Sequence, residues 1–132
     1  MKLSTFLTIA ALLAIVFGLS FLFVPAATLA PYGVTTDPTG IYMARYFGAA
    51  LIQVGLVIFL ARNVGDRTAQ RAIVLGSLIG VLAGLGVALA AQFSGAVNAL
   101  GWSTVAIYLF LVVGYGYFAF VQARPGASGH AP

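Results

Sequence analysis

Four apolar runs decide what this chain can fold into: Leu3–Val24, Ile41–Ala61, Ala72–Ala91 and, roughly, Gly101–Val121. Each is 20 to 22 residues long. At 1.5 Å per residue, 20 helical residues reach about 30 Å, the thickness of the bilayer hydrocarbon. A segment in lipid must satisfy its own backbone hydrogen bonds, and the short alternating segments of a membrane β-barrel are absent. The sequence therefore predicts an all-α fold, a four-helix transmembrane bundle running up-down-up-down. Residues 1–121 form the membrane domain, with spans at about 3–24, 41–61, 72–91 and 101–121, and 122–132 form a disordered cytoplasmic tail.

Composition agrees with this solvent. Charged residues are 6% of the chain and hydrophobic ones 62%, whereas soluble domains carry about 25% charged residues. The 132 residues suffice for one domain. With no cysteine, disulfides, Cys-bound zinc and iron–sulfur clusters are excluded. The net charge of +4 comes from basic residues scattered at helix ends. It forms no stripe, so no nucleic-acid partner is expected. The first run follows Met-Lys and precedes "VPAATLAP". Its apolar core is too long for a signal peptide, and Pro31 spoils cleavage after Ala30, so it is read as a retained helix.

The loops set an orientation. Lys2, Arg62, Arg67, Arg71 and Arg124 fall on one side if the spans alternate, while "PAATLAPYGVTTDPTG" and "FSGAVNAL" hold no Lys or Arg. The positive-inside rule then makes both termini cytoplasmic. Asp37 followed by Pro38 reads as the N-cap and first residue of the second helix. Shifting the sequence by 66 residues lays "AALLAIVFGL" on "GSLIGVLAGL", a compositional resemblance between the two halves.

Helices in lipid associate through small residues that let backbones approach. The third span carries a ridge at four-residue spacing, Ala72, Gly76, Gly80, Gly84 and Ala88, and is expected to be the central packing element. Gly18, Gly48, Gly55 and Gly114 are the matching small positions elsewhere. The ridge has two readings, packing within the monomer, which is favoured, and pairing with a second copy.

One cation lies within a span. Arg45 is about 10 Å along the second helix from Pro38. It either snorkels to the outer headgroups or contacts an anion there. In the second reading it works with Asp37, Gln92, Asn98 and Tyr108, beside Tyr42 and Trp102. Gln53, deeper in the same helix, is expected to hydrogen-bond between helices or to touch a ligand. Ser77 and Thr8 can bond to their own helix. The chain has no Glu, and its one histidine, His130, is in the tail. No proton path, metal, cofactor or nucleophile–base pair is therefore expected, and the protein is read as not an enzyme.

The stretches "MARYFGAALIQVGLVIFLAR", "RTAQRAIVLGSLIG" and "SGAVNALGWSTVAIYLFLVVGYGYFAF" resemble a widespread group of small, mostly uncharacterised four-helix bacterial integral membrane proteins. There is a fainter similarity to DoxX-like proteins, some of which are subunits of quinone-linked systems. The resemblance implies a multi-pass protein of the bacterial inner membrane and brings no catalytic residues. The function expected is that of an accessory or scaffolding subunit of a membrane complex, its partners being lipids and another membrane protein or a second copy. The alternative is a small lipid-, quinone- or solute-binding carrier or channel using the outer polar cluster.

Overall fold

The computed structural model describes residues 1–121. Its long helices are α1 (Leu3–Phe23), α3 (Pro38–Leu60), α4 (Arg67–Ser94) and α5 (Gly101–Gly116), with a short α2 (Pro25–Leu29) after the first. A π turn, Tyr117–Val121, completes the last span. All four long segments are apolar enough to cross a membrane, so the fold is an all-helical bundle of four candidate spans. The cytoplasmic tail expected over 122–132 lies outside the described residues.

The boundaries differ from the sequence reading where capping decides them. The second span begins at Pro38, three residues early, because the Asp37 carboxylate accepts the Gly40 N–H at 2.8 Å. The third begins at Arg67, capped by Asp66 through the Ala69 N–H at 2.8 Å. It runs on to Ser94 and stops at Gly95, whose φ of 79° only glycine adopts cheaply. Gly95 and Ala96 then return hydrogen bonds to Gln92 and Ala91, which satisfies the last carbonyls. The first linker is not irregular. After Val24 the chain breaks at Pro25, forms α2 and a 3₁₀ turn at Ala30–Tyr32, and leaves through Gly33 at φ 76°. Pro25 has no N–H to continue the ladder. The Thr28 hydroxyl compensates by meeting the Ser20 and Val24 carbonyls at 3.0 and 2.8 Å.

Packing is pairwise. α1 and α3 form one antiparallel hairpin, and α4 and α5 form another. In the first, the backbones touch. A Cβ on Gly48 would lie 2.6 Å from the Leu22 nitrogen, and one on Gly18 2.9 Å from the Gly48 carbonyl oxygen. Gly55 is seated against Ile15 and Ala11 in the same seam. In the second hairpin, Gly84 receives the Tyr108 ring.

The two hairpins are joined at the end that carries Lys2, Arg62, Arg67 and Arg71. Phe6 is 1% exposed there. Its ring meets Tyr115 edge-on at 4.8 Å and lies 5.5 Å from Phe118, with Gly114 leaving room for it. Leu7, Ala10, Ala11, Ile58, Val74 and Leu78 fill the rest of this core. Because lipid is as apolar as these side chains, the gain is close packing rather than removal from water.

α4 is therefore not the central packing element. A Cβ on Gly76 or on Gly80 would find nothing within 4 Å. The seam of backbone contact belongs to α1 and α3.

Candidate functional site: a cleft between two hairpins

Beyond the Phe6 core the hairpins stand apart, and a cleft of about 780 Å³ lies between them. Small side chains on the facing walls create it: Ala10 and Ala14 of α1, Ala50 of α3, Ala72, Gly76 and Gly80 of α4. Larger side chains at these positions would close the gap as they do at the base. Ile58, Ile73, Leu111 and Tyr115 line its deep end, Tyr32, Val34, Val97 and Thr104 its other end. Among the described residues, none that lines it is charged. Ligand sites typically occupy 300–1,000 Å³ and place a few polar groups on apolar walls. Here those groups are Tyr32 in the 3₁₀ turn, Gln53 on α3, Ser77 on α4, and Thr104, Tyr108 and Tyr115 on α5.

Tyr115 is unusual among them. The residue is 1% exposed, and its hydroxyl is buried among the helices. The Ser77 side chain is its polar neighbour. The Ser77 hydroxyl is not tied to its own helix, whereas Thr8 does bond to the Ser4 carbonyl, at 2.8 Å.

The far end of the cleft is fastened by Asn98. Its side-chain amide donates to the Pro31 carbonyl and its backbone N–H to the Tyr32 carbonyl, both at 2.9 Å. Its side-chain oxygen accepts from the Leu100 N–H at 3.0 Å. Its carbonyl accepts the Gln92 amide at 3.3 Å and the Gly101 N–H at 2.9 Å. One residue thus ties the loop after α4 to the 3₁₀ turn before α3, and the Thr104 hydroxyl reaches the Tyr32 hydroxyl at 3.4 Å beside it.

The outer polar residues do not form one cluster. Asn98 and Gln92 serve the loop clasp. Tyr108 lies between the hairpins against Gly84, and Asp37 caps its own helix. Tyr42 stacks edge-on with Tyr46, their hydroxyls 3.1 Å apart on an exposed face. Trp102 meets Phe93 at 5.8 Å on the outside. Arg45 is exposed and stacks on none of these rings. The only cation–π contact among the described residues is Arg62, 3.8 Å over Phe59, where its guanidinium also donates to the Phe59 carbonyl at 2.6 Å. Of the positions read from the sequence, Gln53 and Tyr108 line the cleft with Ala72, Gly76 and Gly80. Gly18, Gly48, Gly55, Gly84 and Gly114 pack helices, and Ala88 is half-buried on α4. Tyr115 and Ser77 were missed as a pair. An isolated Tyr and Ser in apolar runs give no periodic signal.

Among the described residues no group of three His, Cys, Asp or Glu could hold a metal. What the cleft offers chemically is shape, apolar contact and a few hydroxyl and amide groups.

Four long apolar helices, paired as hairpins and covered on their outer faces by Leu12, Val16, Ile79, Val87 and Val113, make this a multi-pass helical membrane protein. The chain belongs to the family described as a domain of unknown function, DUF8292, which matches residues 8–124. No curated protein and no solved structure matches it.

Proposed function

We propose that this is a non-enzymatic protein of the bacterial inner membrane, with both termini in the cytoplasm, that binds a lipid-soluble molecule in the cleft between its hairpins. The observation that carries the reading is the cleft itself, about 780 Å³ with no charged lining residue among the described ones. It opens among spans whose outer faces suit lipid, so an apolar molecule reaches it without crossing water. The orientation is supported by Lys2, Arg62, Arg67 and Arg71 gathering at one end of the bundle.

A second reading, an accessory subunit, is favoured by one feature. Gly76 and Gly80 are four apart and unpacked, the spacing that seats a partner helix. Native mass spectrometry of the full chain isolated in mild detergent separates the two. The binding reading expects a stoichiometric small molecule, displaced by Gly80→Phe with the melting temperature kept. A stoichiometric polypeptide and no small molecule would return the protein to the accessory role. Cysteines at Thr35 and Thr68 test the orientation. Thr35→Cys should label from the periplasm and Thr68→Cys should not.

A further inference from the structure

We propose that two copies of this chain pair through the outward face of α3, with Gln53 of one copy hydrogen-bonded to Gln53 of the partner subunit. This face is distinct from the cleft, and the pairing stands without the binding reading above.

α3 presents three faces. Gly48, Ile52 and Gly55 pack against α1, and Phe47, Ala50, Leu51 and Val54 line the cleft. The third face holds Tyr42, Tyr46, Ala49, Gln53, Leu56 and Leu60, all exposed. Their spacings alternate between four and three, which keeps them on one stripe of the helix. Of these six, only Gln53 also reaches the edge of the cleft.

The outward stripes of the other helices suit lipid: Leu12, Val16 and Leu19 on α1, Ile79 and Val87 on α4, Leu109 and Val113 on α5. Gln53 does not. It lies about 22 Å from Pro38 and about 10 Å from Leu60, deep in the hydrocarbon. Among the described residues it is the one exposed amide within a span. The side-chain hydrogen bonds of α3, at Gly40 and between Tyr42 and Tyr46, leave it unpaired. An unpaired amide facing lipid costs free energy, because no water compensates. Glutamines in membrane helices relieve that cost by bonding across to another helix.

A second copy is the partner that fits. Copies in one membrane share an orientation. A two-fold axis along the bilayer normal then sets their α3 helices parallel, with each residue opposite its own equivalent. An amide both donates and accepts, so two glutamines at equal depth satisfy each other. Ala49, one turn away, lets the backbones approach. Arg45 lies about 100° around the helix from Tyr46, so like charges do not meet on the seam. A single polar position in such a seam fixes its register.

The chain has no cysteine, so single introduced cysteines report proximity. In bilayers, Ala49→Cys oxidised with iodine should give disulfide-linked dimer, while Val16→Cys on α1 and Val87→Cys on α4 stay monomeric. Sedimentation of the full chain in mild detergent should show a monomer–dimer equilibrium. Its dissociation constant should rise at least about 5-fold in Gln53→Leu, the worth of interhelical amide bonds, and stay near wild type in Gln53→Asn, which keeps the amide. At concentrations where both are monomeric, Gln53→Leu should melt no lower than wild type, so that a weaker dimer is not a misfolded chain. Gly80→Phe, which fills the cleft, should leave the dimer unchanged. Three results would each overturn the pairing and spare the cleft: cross-linking at residue 49 no greater than at 16 and 87, a wild-type chain monomeric at every concentration, or a Gln53→Leu dimer as tight as wild type. A different polypeptide bound stoichiometrically to wild type and lost in Gln53→Leu would assign the stripe to that partner and overturn the pairing as well.

Discussion

Gly48 and Gly80 sit mid-span in neighbouring helices and have opposite surroundings. At Gly48 a single added carbon would lie 2.6 Å from the Leu22 nitrogen; at Gly80 it would meet nothing within 4 Å. The first glycine lets two backbones touch, and the second keeps two hairpins apart. A small residue in a membrane helix permits close approach but does not enforce it. What enforces it here is the partner face: Gly18 opposes Gly48, whereas Gly80 looks across at alanines and space.

The largest expected effect comes from removing that difference. Gly48→Ala must push α1 and α3 apart, which costs about 3 kcal/mol or more, while Gly80→Ala should fall within about 1 kcal/mol of wild type, on the stabilising side. Thermal unfolding of the two variants in detergent, followed by circular dichroism, checks this. Equal melting points would dissolve the contrast between the hairpins.

A smaller effect is expected at the clasp. Asn98→Ala removes the side-chain bonds to Pro31 and Leu100, at about 1 kcal/mol each. Backbone bonds from residue 98 remain, so the hairpins should stay joined at the Phe6 core while the far loops loosen. Hydrogen exchange should rise at residues 30–34 and 95–100 and stay unchanged at residues 6–11. Protection lost equally at both ends would mean that the bundle has no separable halves.

The smallest effect is assigned to Arg45. It is exposed and touches no aromatic ring, so it acts as a snorkelling cation. Arg45→Lys should melt within about 1 °C of wild type, and Arg45→Ala only slightly lower, because exposed charges contribute little. A marked loss in Arg45→Lys would reinstate a site that needs the planar guanidinium.

The four spans and the Asp37–Pro38 cap were legible because length, hydropathy and that capping signal are local properties, whereas the Asp66 cap was not read. The choice of packing seam was not. Gly76, Gly80 and Gly84 form the most regular small-residue ridge in the sequence, and spacing alone favours it. In lipid, however, both faces of a helix are apolar, so no change in polarity marks which ridge is covered. The outer cluster failed for a related reason. Residues at a common depth were taken to meet, yet Arg45 is exposed on α3 while Tyr108 packs on Gly84 and lines the cleft. The cleft is formed by what its walls lack, and only the relative placement of Ala10, Ala14 and Gly80 across two hairpins reveals it.

The pairwise packing also bears on how the chain is made. Both close-packed hairpins join spans that are neighbours in sequence, so each needs only a short loop to close. Once Leu60 has left the ribosome, the first pair can insert and lock before α4 has emerged. The second pair can do the same on its own. What remains is a single late docking step around Phe6, with Tyr115 and Phe118 arriving last of all, so the final residues of the last span complete the core that joins the halves.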